Sequence, residues 1–176
     1  MTPKAPSEAE YLVYTDGASR KDGRGGWAFC IWWDGCWWDE CGGTYDTTNG
    51  RMELEAAHNA LAFLDHLADP GERLTIEMRV DAKYVMDGAV DHLPDWKFRN
   101  WRLSSNKPVK HLDLWQEIDR LLQKHDVSWT HVKGHTGEEG NERADSFATR
   151  GVPPVRTQPH MTVVKPVRRR KPTWTY

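Results

Sequence analysis

The chain has 176 residues, 38% hydrophobic and 28% charged, enough for one well-buried core with appendages and too few for two ordinary domains. No apolar run approaches the roughly 20 residues of a spanning helix, which excludes a membrane span, and residues 1–10 lack the apolar stretch of a secretory signal, so the expected location is cytoplasmic. The net charge of −2 hides an asymmetry: in residues 152–176 the cations Arg156, Lys165, Arg168, Arg169, Arg170 and Lys171 stand without an acid, leaving −8 on residues 1–151.

Residues 11–15 form a β-rich apolar run ending at Asp16-Gly17, and residues 21–26 read as a turn before a second strand at 27–33. Asp34-Gly35 then separates Ile31-Trp32-Trp33 from Cys36-Trp37-Trp38, a strong hairpin signal because both turn residues tolerate positive φ. Over residues 51–67 the apolar positions Met52, Ala56, Ala60, Phe63, Leu64 and Leu67 recur at three- and four-residue steps, predicting an amphipathic helix that Pro70-Gly71 ends. Leu74, Ile76, Met78 and Val80 alternate with Thr75, Glu77 and Arg79, a period-2 strand that delivers Asp81 at its end, with a short helix to follow. A second amphipathic helix is expected over 111–125, a fifth strand over 127–132 and a last helix over 138–149. Three strands joined by tight turns, then helix–strand–helix–strand–helix, imply an α/β fold with a five-stranded mixed sheet flanked by helices. Residues 1–10 read as a short leader, 11–151 as one domain, and 152–176, with five prolines and little periodicity, as a basic Pro-rich tail without a core of its own.

Cys30, Cys36 and Cys41 contain no CxxC pair, and packing suits them better than a zinc site, which would need a distant histidine. Four acids instead stand at element ends: Asp16, Glu53, Asp81 and Asp145. In α/β sheets ligands gather where strands end and helices begin, and hard cations take carboxylate oxygens with water and phosphate oxygens completing the shell. Four carboxylates can hold two ions, and two ions serve an in-line phosphoryl displacement. By spacing alone any one of these acids is as plausibly a solvated surface group.

Local wording decides between these readings. The segments Tyr14-Thr15-Asp16-Gly17, Thr47-Thr48-Asn49-Gly50-Arg51-Met52-Glu53-Leu54, Val80-Asp81-Ala82-Lys83-Tyr84-Val85 and Val132-Lys133-Gly134-His135-Thr136-Gly137 with Asn141-Glu142-Arg143-Ala144-Asp145 resemble, in order and spacing, the type 1 ribonucleases H. Lys107-Pro108-Val109-Lys110-His111-Leu112-Asp113-Leu114-Trp115 resembles the stretch that leads into that family's helix before the last strand. The likeness covers residues 11–149. Any one motif is common, whereas the ordered set is highly specific. The resemblance implies a ribonuclease H-like fold and a catalytic domain at 11–151. It also implies metal-dependent cleavage of the RNA strand of RNA–DNA hybrids, leaving 5′-phosphate and 3′-hydroxyl ends. Asp16, Glu53, Asp81 and Asp145 match the carboxylates that hold two Mg²⁺ ions, with Mn²⁺ as a substitute. His135 matches a histidine on a mobile loop that assists proton transfer or product release.

Five cations, Lys97, Arg99, Arg102, Lys107 and Lys110, stand against one acid in residues 95–110, interleaved with Trp96 and Trp101. Cations there suit phosphate contacts, and the rings suit either sugar contacts or packing. By the resemblance this is a basic protrusion that grips the DNA strand, while Gly17, Thr48, Asn49, Arg51 and Lys83 fall near the path of the hybrid, whose 2′-hydroxyls identify the RNA. Gly50, Ala82 and Lys83 depart from the commonest family wording, as does the loop at 19–26, which bears on substrate affinity more than on the chemistry. The cluster Arg168-Arg169-Arg170-Lys171 suits extra nucleic-acid contacts, and a monomer is the default state. For Trp32, Trp33, Trp37 and Trp38, packing and an exposed partner surface both stand. Rival functions are a hybrid-binding module without cleavage, disfavoured by the intact acids, a DNA strand-transfer relative, and the nuclease part of a polymerase, against which the chain's own leader and tail suit a free-standing enzyme.

Overall fold

Hydrophobic alternation and tight turns build the sheet's first half. β1 (Tyr11–Ser19), β2 (Gly25–Trp33) and β3 (Cys36–Thr44) form an antiparallel meander in which β1 pairs with β2 and β2 with β3. This computed structural model describes residues 9–134 and 136–155. The leader at 1–8, His135 and the cationic part of the tail at 156–176 lie outside the described residues. Asp34 and Gly35 turn β2 into β3 with φ of 46° and 80°, as the hairpin signal requires. β1 continues four residues beyond the expected end because Asp16, Gly17, Ala18 and Ser19 pair with Ala28, Trp27, Gly26 and Gly25.

α1 (Asn49–Leu67) crosses back over the sheet, with the Thr48 side chain accepting from the Arg51 backbone N–H as its cap. β4 (Thr75–Val80) then pairs parallel with β1, and β5 (Asp126–His131) parallel with β4, giving the order β3-β2-β1-β4-β5. α5 (Glu139–Gly151) covers the face opposite α1. A central strand covered on both sides should be apolar throughout, and Leu12, Val13 and Tyr14 are all buried. Val13 packs with Leu54, Leu61 and Met78 on the α1 side, and Leu12 and Tyr14 with Ala144 on the α5 side. Each such buried side chain is worth about 1.5–3 kcal/mol.

Several sequence expectations change here. The short helix after Asp81 is a longer bent segment: α2 (Lys83–Asp87), a π-helical turn (Gly88–His92) and α3 (Leu93–Phe98). α4 (Leu112–Leu122) starts and stops inside the expected helix, and His125, at the end of that stretch, is buried between the Leu74 backbone and Asp65. The polar side of β4 is not in water either: Glu77 is buried and Arg79 nearly so, among Tyr14 of β1, Thr130 of β5 and Glu138 at the start of α5. The expected tail begins under restraint, since Arg24 donates to the Pro153 carbonyl at 2.8 Å and Tyr45 to that of Pro154 at 3.0 Å.

Candidate active site

Four elements meet at one cleft. β1 contributes Asp16, the first turns of α1 contribute Asn49 and Glu53, Asp81 and Ala82 follow β4, and α5 contributes Asn141, Asp145 and Thr149. The cleft encloses about 400 Å³, and Gly17, Ala18, Ser19, Arg20 and Glu142 complete its lining. The parallel register explains half of this convergence. Tyr14 stands beside Arg79 and Thr15 beside Val80, so Asp16 within β1 and Asp81 just past β4 stand at the same level.

Burial and like charge make the cleft a poor place for free carboxylates. Asp16 is pushed up to about 7, first by burial and then by the charge of Asp81, with Asp145 and Glu53 adding to it against a hydrogen bond from the Gly17 backbone. Glu53 is raised by burial and by Asp81, and its Oε1 accepts from Asn49 Nδ2 at 2.6 Å. Among the described residues no three acid, histidine or cysteine side chains converge tightly enough to form a finished metal cage. The donor set nevertheless fits a hydrated hard cation. It consists of carboxylate oxygens that repel one another, and the buried Oδ1 of Asn141, in the same cleft, has no hydrogen-bond partner. Water molecules around a cation would donate to such an acceptor, and the cation would relieve the repulsion.

The other sequence-derived residues divide. Gly17 and Asn49 line the cleft, whereas Thr48 serves as the cap of α1. Arg51 bridges helices, pairing with Glu55 at 3.0 Å and with Asp113 at 2.8 Å. Lys83 is exposed and held by Asp87 at 2.7 Å. Trp96 is only 8% exposed and packs on Trp115 with ring centroids 5.2 Å apart, so it supports the protrusion from beneath and offers no surface to substrate. Trp101 is half-buried against the same core. Lys97 is paired with Asp119 of α4 at 2.7 Å, which local charge counting missed, and Arg99 with Asp95 on its own helix at 2.8 Å. Among the described residues Arg102, Lys107 and Lys110 have no carboxylate partner, and they carry the free charge of this excursion. His135 lies outside the described residues, but its neighbour Gly134 abuts the site: a Cβ there would stand 3.2 Å from Asp81 Oδ2.

Sequence reasoning passed over Arg20, Asn141, Thr149 and Phe98. Asn141, Asp145 and Thr149 recur every four residues on one face of α5, a helical ladder readable from spacing once Asp145 is singled out. Phe98, 86% exposed between Lys97 and Arg99, left only its composition as a clue.

Comparison with known proteins fits this geometry. The RNase H family model matches residues 8–153. Ribonuclease HI of Pseudomonas aeruginosa is 46% identical over 144 residues, covering 81% of this chain and 93% of that protein. Ribonuclease H of Stutzerimonas stutzeri is 45% identical over 148 residues, covering 84% and 94%. Among solved structures, LC9-RNase H1, a type 1 RNase H with the type 2 active-site motif, superposes with a TM-score of 0.70 at 27% identity, covering 84% of this chain and 74% of that one. A family match that spans both the sheet and all four cleft acids leaves one assignment: the chain belongs to the RNase H family of endoribonucleases.

Proposed function

We propose that this protein is a metal-dependent endonuclease that hydrolyses the RNA strand of RNA–DNA hybrids, leaving 5′-phosphate and 3′-hydroxyl ends. The observation that carries the reading is the gathering of Asp16, Glu53, Asp81 and Asp145 from four elements into one cleft, in a chain of this family. Those four side chains would hold two Mg²⁺ ions, with Mn²⁺ as a substitute. Such ions, when bound, supply an activated water and neutralise charge on the leaving oxygen.

The rest of the work falls to the chain's own groups. Asn49 fixes the Glu53 carboxylate through its 2.6 Å hydrogen bond, and the buried Asn141 amide supplies an acceptor inside the cleft. His135 would take or deliver a proton as product leaves. Arg102, Lys107 and Lys110 would contact phosphates of the DNA strand and set its register, with the exposed Phe98 ring on the same excursion, while hydroxyls in the minor groove mark the other strand as RNA. The enzyme is read as a cytoplasmic monomer, with the cationic tail adding salt-sensitive contacts to nucleic acid.

The test is cleavage of a strand-labelled hybrid beside duplex DNA, duplex RNA and single-stranded RNA, with Mg²⁺ and with EDTA. Cutting confined to the hybrid's RNA, and only with metal, is the expected result. Binding of the hybrid without cleavage would overturn it in favour of a binding module.

A further inference from the structure

A buried polar cluster lies directly behind the cleft and is used by nothing described so far. Arg79 Nη1 donates to Tyr14 Oη at 3.0 Å and to Glu138 Oε1 at 2.8 Å, and Tyr14 Oη donates to the same Glu138 oxygen at 2.9 Å. Arg79 Nε is held by Glu77 Oε1 at 2.9 Å, and Thr130 donates to that oxygen at 3.1 Å. Tyr14 is fully buried, and its ring fills the space above Gly140, where a Cβ would overlap the ring.

The positions of the three partners matter more than their number. Tyr14 precedes Asp16 by two residues on β1, Arg79 precedes Asp81 by two on β4, and the two sit directly opposite in the parallel register. Glu138 holds the N-cap position of α5, but its side chain makes no cap bond and reaches back to the sheet instead. Seven residues later, about 10 Å along the helix, stands Asp145. The connection that carries His135 is therefore tied to β4 at both ends, by Val132 N–H to the Val80 carbonyl at 3.0 Å and by Glu138 to Arg79.

We propose that Tyr14, Arg79 and Glu138 form a positioning clasp that sets the mutual spacing of Asp16, Asp81 and Asp145, and the span of the His135 connection. A buried ion pair is weak evidence for added stability, because desolvation offsets its attraction; what it does supply is direction. An apolar trio of similar size would pack α5 onto the sheet without fixing its rotation. The clasp fixes it through a closed triangle of three hydrogen bonds among Arg79 Nη1, Tyr14 Oη and Glu138 Oε1. None of the three touches the cleft, so they act through the carboxylates, as residues behind a metal's ligands do.

The inference rests on the metal-dependent reading above, and its test separates the two. Tyr14→Phe removes one oxygen and Glu138→Gln keeps the shape of the side chain, so both should fold; Arg79→Met is the severe variant. The Mg²⁺ and Mn²⁺ concentrations that half-maximally raise the Tm are measured, together with kcat and KM on a labelled hybrid. The clasp predicts a metal midpoint raised, or kcat lowered, by about 10–100-fold, with KM near wild type and the metal-free Tm little changed for Tyr14→Phe and Glu138→Gln. Metal midpoints and kcat within twofold of wild type in both mild variants would overturn it. A wild-type protein that metal stabilises but that leaves the hybrid uncut would overturn the nuclease reading, and the metal midpoints would still decide the clasp.

Discussion

Gly17 on β1 and Glu53 on α1 lie in backbone contact: a Cβ on Gly17 would overlap the backbone nitrogen of Glu53. This closeness seats α1 against the strand that carries Asp16 and brings two cleft carboxylates together. Gly17→Ala must push the helix away, at about 1–3 kcal/mol for overpacking. The expected outcome is a folded protein with a lower Tm and a much larger proportional loss of hybrid cleavage. A wild-type rate in a folded Gly17→Ala protein would mean that the separation of Asp16 and Glu53 does not matter.

Asp16→Asn and Asp81→Asn should abolish cleavage while the far-ultraviolet circular dichroism stays native, because each removes a charged oxygen donor from a cleft that must bind cations. Full activity in either variant would break the site assignment.

The raised Asp16 makes stability depend on pH with a definite sign. In the folded, metal-free protein this carboxyl keeps its proton up to about 7, whereas in the unfolded chain it loses it near 3.9. Between those values the folded state binds the extra proton, so this group's contribution falls as pH rises from about 4 to 7 and is fully unfavourable above. In EDTA, Asp16→Asn should exceed the wild-type Tm by a margin that is small at pH 5 and much larger at pH 8. Added Mg²⁺ should stabilise wild type most at pH 8. Equal wild-type and variant melting curves at both pH values would remove the repulsion argument.

The protrusion offers a contrast between charge and aromatic contact. Lys107→Ala should lower the salt slope of hybrid binding by about one and weaken all sequences alike. Phe98→Ala removes no charge, so it should raise KM several-fold and leave the slope unchanged. Fluorescence titrations at several salt concentrations measure both, and an unchanged KM for Phe98→Ala would mark the ring as exposed without a task.

His135→Ala should slow turnover without stopping it, since acid–base assistance is worth about 10²–10⁴. Complete loss would point to a structural role for the loop.

Much of this was legible in the sequence because strands and helices write their periods locally. The alternation at 74–80, the three- and four-residue steps at 51–67 and the Asp34-Gly35 turn each correspond to an observed element. The four acids were legible from their motifs, and the structure gathers them at one cleft. What escaped depends on distant partners. Trp96 reads like a surface aromatic among cations until Trp115 arrives from α4 to cover it, and Lys97 reads as a free charge until Asp119 does the same. Glu77 and Arg79 look like the wet side of a two-faced strand, and only Tyr14, Thr130 and Glu138, brought in from three other segments, account for their burial. His125 likewise needs Asp65, sixty residues away, to explain its burial.

The parallel pairing of β1 with β4 also bears on how the molecule comes into being. Thr15 must find Val80 across a loop of some sixty-five residues, and closing such a loop costs entropy before any contact repays it. Topologies dominated by distant pairings fold slowly. Asp145 enters later still, on the helix that closes the opposite face. A chain emerging from the ribosome therefore has no complete carboxylate cleft until nearly all of its sheet and its last helix have been made, and a prematurely ended chain would be harmless to the nucleic acid around it.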